Sequence, residues 1–238
     1  MADHTVKSFD ETLEHLRNTL LRLGGIVENS LAEAVAALAK RDADLAAQIV
    51  QRDSEVDALC RSAEDQAVKL IALRQPVASD LRLVVGAIRV AVDLERVGDY
   101  ASNIAKRTIV LAQLPALIGV GPIQRMGRIV QEMLKDTLDA FSTHDVEKAH
   151  SVWVRDEQVD EAYNAVFRNL LTYMMEDPRN ITPCTHMLFI AKNIERIGDH
   201  ITNVSETIRF IEIGEQVVQD RPKRDDSAFA IVEPPAGV

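Results

Sequence analysis

Aromatic residues make up only 4% of this 238-residue chain, glycine and proline number 10 and 8, and alanine, leucine, glutamate and arginine abound. That balance favours an all-helical fold. Cysteine is nearly absent: Cys60 and Cys184 form no CxxC pair and read as small buried or half-buried side chains, with no disulfide expected. No apolar run reaches the roughly 20 residues of a membrane-spanning helix; the nearest, residues 109–120, is broken by Gln113 and Pro115. Positive charge is in deficit, 27 Lys and Arg against 37 Asp and Glu for a net charge of −10, which argues against nucleic acid as a partner. No nucleophile elbow, glycine-rich phosphate loop or zinc-protease signature is present. Met1-Ala2-Asp3-His4 lacks the basic and apolar zones of a secretory signal, so a cytoplasmic location is expected.

What the chain does have, it has twice. Glu95-Arg96-Val97-Gly98-Asp99 returns as Glu195-Arg196-Ile197-Gly198-Asp199, with Asn103 and Asn203 each four residues further on. The apolar frame returns with it. Val90, Leu94, Val97, Ala101, Ile104, Thr108 and Leu111 alternate steps of four and three, as do Ile190, Ile194, Ile197, Ile201, Val204, Ile208 and Ile211. Upstream, Arg52-Asp53-Ser54-Glu55-Val56-Asp57 aligns with Arg155-Asp156-Glu157-Gln158-Val159-Asp160 at an offset of 103 rather than 100, and Gly24 falls on Gly127. Nearly the whole chain is two copies of one unit.

The same periodicity predicts helices over residues 5–39 and 42–73 and from Ser79 onward in the first copy, and from near Pro122, Asp145 and Pro183 in the second. Asp42 and Ser79 are expected caps, and Thr182-Pro183 a cap followed by a first-turn proline. The expected fold is all-α: two tandem three-helix bundles, 1–114 and 122–218, joined by a linker over 115–121 and followed by a flexible tail over 219–238. Helices of 30 residues make each bundle about 45 Å long.

Carboxylates are the chemical content. Glu95 and Asp99 lie on one outward helical stripe, and Asp53 and Asp57 are likewise spaced by four on the preceding helix. The duplication repeats the arrangement as Asp156, Asp160, Glu195 and Asp199. Like charges at this spacing repel by about 0.2–0.5 kcal/mol per pair, so a cation is called for. Either Arg52, Arg96, Arg155 and Arg196 supply it, or a metal held by facing oxygens does, and Mg, Mn, Fe or Zn suits such ligands. Gly98 and Gly198, each costing about 1 kcal/mol inside a helix, read as places where the neighbouring helix comes close. The six histidines form no repeated ligand pair and read as surface residues.

The duplicated Glu-Arg-hydrophobic-Gly-Asp segments, together with Asn103-Ile104-Ala105, Asn203-Val204-Ser205 and Arg74-Gln75-Pro76-Val77-Ala78-Ser79-Asp80-Leu81-Arg82, resemble the PhoU family of bacterial phosphate-signalling proteins. The likeness spans about residues 5–213. It implies two adjacent three-helix bundles with surface metal clusters, whose ligands here are Asp53, Asp57, Glu95, Asp99, Asp156, Asp160, Glu195 and Asp199. It also implies a non-enzymatic regulator, usually homodimeric, linking the ATPase of a phosphate ABC transporter to a sensor histidine kinase and repressing the phosphate-starvation response. The connector Asp177-Pro178-Arg179-Asn180-Ile181-Thr182-Pro183 departs from the first-half pattern, so unequal sites are expected.

Two other readings share the helical fold. One is a metal-free acidic scaffold that docks partners. The other is a ferritin-like di-iron oxidase, which needs two inward Glu-x-x-His pairs where this chain has one, Glu147-Lys148-Ala149-His150.

Overall fold

The computed structural model describes residues 2–115 and 121–214. They form six α-helices: α1 Ala2–Lys40, α2 Ala43–Arg74, α3 Ala78–Ala112, α4 Gly121–Thr143, α5 Val146–Glu176 and α6 Ile181–Ile213, with a 3-10 turn at Pro178–Asn180. Most of the expected linker and the whole of the expected tail lie outside the described residues.

Helix starts follow local chemistry where a side chain can reach the first turn. Asp42 accepts from the Leu45 amide, and Asp145, its duplicate, from the Lys148 amide. Two expected starts shift. Ser79 does not cap α3: the three-residue connection reverses the chain through left-handed Gln75, and Val77 takes the N-cap position with Ser79 already inside the first turn. Nor does Thr182 cap α6. Asp177 instead accepts from the Arg179 amide and opens the 3-10 turn, so that α6 begins at Ile181 and Pro183 falls within its first turn, where a missing N–H costs little.

Both duplicated heptad rows are buried along their whole length, from Val90 to Leu111 on α3 and from Ile190 to Ile211 on α6. Each set of three sequential helices packs into a bundle, and the bundles lie side by side through α3 on α6 and α1 on α4. The α3–α6 seam is antiparallel: Gly86 lies against Ile211, and Arg107 stacks over the Phe189 ring at 4.1 Å. At α1–α4 the contact is reciprocal. A Cβ on Gly24 would lie 2.4 Å from Leu138, and one on its duplicate Gly127 would lie 2.7 Å from Val35, the duplicate of Leu138. The two bundles are thus related by an approximate twofold within one chain.

Candidate metal centre

Close approach of α2 to α3 is set by Gly98, where a Cβ would sit 2.9 Å from Val56 Cγ1. Gly198 does the same for α5 and α6: its Cβ would meet Asp156 Oδ1 at 3.0 Å and Val159 Cγ1 at 3.5 Å. Backbones this near bring acids on neighbouring helices together.

In the first half, one carboxylate oxygen from each of Asp57, Glu95 and Asp99 lies within 4.8 Å of the others. Ligand oxygens on a single small cation are separated by up to about 4.2 Å, so a modest side-chain rotation closes the set. Asp53 stands one turn before Asp57. Its Oδ1 is shielded from solvent and meets no donor in good hydrogen-bond geometry, and the Ser102 hydroxyl, likewise unmatched, stands near enough to favour the charged carboxylate. Burial raises the Asp53 carboxyl above its ordinary value, Asp99 and Asp57 push the same way, and Ser102 and Lys106 oppose them. Glu95 is raised likewise, first by burial and then by Asp99, against the pull of Arg96. An orphaned buried oxygen among crowded acids is an environment that a hard or borderline cation relieves.

The arginines divide the work differently from the sequence expectation. Arg96 does serve its own acids, with Nη1 3.0 Å from Asp99 Oδ2 and Nε 3.5 Å from Glu95 Oε2. Arg52 instead reaches back to Glu33 on α1 at 2.8 Å, and Arg155 to Asp136 on α4 at 2.5 Å, a duplicated pair that ties the second helix of each bundle to its first. Arg196 lies over the Tyr100 ring at 5.9 Å.

Beside the first-half acids is an open groove of about 230 Å³, lined by Asp57, Cys60, Arg61, Glu64, Val92, Glu95 and Arg96. Burial, with the charges of Glu64, Glu95 and Asp57 adding to it, pushes the Cys60 thiol up to about 11. Both cysteines are free and buried. Cys60 and Ser102 belong to this neighbourhood and were missed in the sequence, because each is one ordinary residue on a helix and only the crossing of α2 with α3 places it there.

Three of the four second-half acids are not on an open face, whereas Asp199 is half-buried like its duplicate Asp99. Asp156, Asp160 and Glu195 are 1%, 2% and 5% exposed, whereas the first-half four are half-buried. The outward stripe expected for Glu195 is covered, and its Oε1 receives Lys192 Nζ at 2.9 Å. His200 is no isolated surface residue either: its Nδ1 lies 2.8 Å from Asp93 Oδ1 across the seam. The single Glu-x-x-His pair stays on the outside, with Glu147 and His150 exposed and His150 stacked on Trp153, so it cannot furnish an inward di-iron site.

Comparison with known proteins places this architecture. The PhoU domain matches twice, over residues 20–108 and 123–208. The chain belongs to the PhoU family. A phosphate-specific transport system accessory protein PhoU homolog from Caulobacter vibrioides is 51% identical, covering 94% of this chain and 98% of that protein. One from Rhizobium meliloti is 46% identical over 93% and 94%. Among solved structures, PhoU from Pseudomonas aeruginosa superposes with a TM-score of 0.85 at 38% identity, covering 87% of this chain and all of that one. The phosphate transport system regulatory protein PhoU from Streptococcus pneumoniae gives 0.82 at 33% identity, covering 89% of this chain and all of that one. The two PhoU domain matches fall one on each bundle. No described helix is long and apolar enough to cross a membrane.

Proposed function

We propose that this PhoU-family chain is a non-enzymatic regulator of phosphate uptake that works from the cytoplasmic side. It represses the phosphate-starvation response by contacting the ATPase of the high-affinity phosphate transporter and the sensor histidine kinase, and it acts as a homodimer. The observation that carries this reading is the 51% identity to a named phosphate transport accessory protein across nearly the whole of both chains.

Metal binding is part of the same reading. Asp53, Asp57, Glu95 and Asp99 are the ligands in the first half, and Asp156, Asp160, Glu195 and Asp199 are their duplicates. Held by these oxygens, an Fe, Zn, Mn or Mg ion would supply positive charge to the desolvated acids. The chain's own residues do the rest: Gly98 sets the approach, and Arg96 orients Glu95 and Asp99. The buried, unpartnered Asp53 Oδ1 supports this over a metal-free acidic scaffold.

Deleting the gene should derepress phosphatase production in phosphate-rich medium, and reintroducing the wild-type gene should restore repression. Unchanged repression in the deletion strain would reject the regulatory reading. Complementation with Asp57→Asn/Glu95→Gln/Asp99→Asn then shows whether the acids serve the regulation: loss of repression by a folded, abundant variant ties the two together, and full complementation separates them.

A further inference from the structure

We propose that Lys192 closes the second acidic site, its ammonium standing where the first half leaves room for a metal ion. The proposal rests, for its metal-binding arm, on the reading of the first-half acids as a metal centre. The two halves keep their acids and exchange what surrounds them. At the duplicated offsets, Asp57 becomes Asp160 and Glu95 becomes Glu195, but Cys60 becomes Tyr163, Glu64 becomes Phe167 and Val92 becomes Lys192.

The replacements fill the groove. Tyr163 is buried, its ring 6.2 Å from that of Phe167, and Lys192 Nζ lies 4.9 Å from the Tyr163 ring centroid and 2.9 Å from Glu195 Oε1. The ammonium is therefore held between a buried carboxylate and an aromatic face, at the rim of the site, with 33% of the lysine side chain still exposed. Exposure reports the same closure: the first-half groove is open, while Asp156, Asp160 and Glu195 have almost no contact with solvent. Burying acids without a cation is costly, and Lys192 is a cation built into the chain that pairs directly with one of them, Glu195. One half is thus arranged to exchange an ion with solvent and the other carries its own.

The test uses the untagged full chain, stripped with EDTA, re-equilibrated with Zn²⁺ alone and measured by elemental analysis and thermal melting. Asp57→Asn/Glu95→Gln/Asp99→Asn should lose at least nine-tenths of the wild-type zinc. Adding Lys192→Val, the residue found at the first-half position, should restore about one equivalent, and a further Glu195→Gln should abolish it. Metal-free Lys192→Val should melt below wild type and recover with zinc. Zinc retained by the triple variant and lost on Glu195→Gln would overturn the proposal, as would a folded Lys192→Val quadruple variant that gains none. If wild type binds no zinc, the first-half metal reading fails on its own. The counter-ion role then stands on a lowered melting point of metal-free Lys192→Val and falls if that melting point equals wild type. Should Lys192→Val not fold, Lys192→Gln, which keeps the stem, is read by the same outcomes.

Discussion

His200 on α6 and Asp93 on α3 join the two bundles through a 2.8 Å contact, and Asn203 Nδ2 donates to the same Asp93 oxygen at 3.2 Å. Both partners of the pair are largely shielded, with 24% and 15% of their side chains exposed. A charge-assisted bond in that setting contributes about 1–3 kcal/mol. His200→Ala should therefore lower stability by about 1–2 kcal/mol. In urea denaturation the midpoint should fall with an unchanged slope, and coupling to Asp93→Asn in a double-mutant cycle should be non-zero.

Gly25 on α1 and Gly127 on α4 should respond to alanine with opposite signs. Nothing lies within 4 Å of a Cβ built on Gly25, so Gly25→Ala should stabilise by about 0.5–1 kcal/mol through helix propensity alone. On α4, Gly127→Ala must displace Val35, whose two methyls would be 2.7 and 2.9 Å away and whose rotamer is stiff in a helix. A net loss of about 1–2 kcal/mol is expected, with Val35→Ala relieving part of it. Thermal melts of the three variants decide it.

Metal removal should reverse the effect of one substitution. Raised carboxyl pKa values mean that the folded protein holds protons more tightly than the unfolded chain, so stability falls as pH rises from the ordinary 3.8 of Asp53 and 4.5 of Glu95 through their raised folded values. In chelator-treated protein at pH 7, Asp53→Asn should raise the melting temperature by removing a desolvated charge. In metal-loaded protein the same change should lower it by removing a ligand. A rise under both conditions would show that Asp53 holds no ion.

Asp136 should shape the acid limb of the stability curve. Burial works to raise its carboxyl, but the hydrogen bonds and charges of Arg155 and Lys148 outweigh burial and hold it below its ordinary 3.8. A lowered folded value stabilises above the unfolded one, and that stability is lost as pH falls through the folded value. Because the pair is about one-third exposed, its worth is about 0.5–1 kcal/mol. Asp136→Asn should cost that much at pH 7 and nothing near pH 2, as read from denaturation midpoints at the two pH values.

The fold was legible because its signals are local and repeated. Two heptad rows, the Asp42 cap and a duplicated glycine each report on a single helix, and helical packing follows from them. The pairing of Asp57 with Glu95 was legible for the same reason, since antiparallel neighbours with acids at matching heights must bring them near. What escaped depends on crossings. Arg52 and Arg155 adjoin the acids in sequence yet turn to α1 and α4, since a long flexible side chain takes the partner that helix rotation offers. The burial of Glu195 escaped because it depends on how α5 packs on α6, which no local pattern reports. His200 looked solitary because Asp93 lies more than a hundred positions away.

The α3–α6 seam is asymmetric in what each side brings. Helix α3 contributes Arg89, Arg107 and Asp93 to meet Phe210, Phe189 and His200 of α6, and a single longer contact, Arg196 of α6 over Tyr100 of α3, runs the other way. Laying two copies of α3 together would oppose guanidinium to guanidinium, and two copies of α6 would leave phenylalanines without a cation. Such a seam favours unlike over like pairing: separated and mixed, the first half should choose the second over itself, and fusion into one polypeptide keeps the mates in reach.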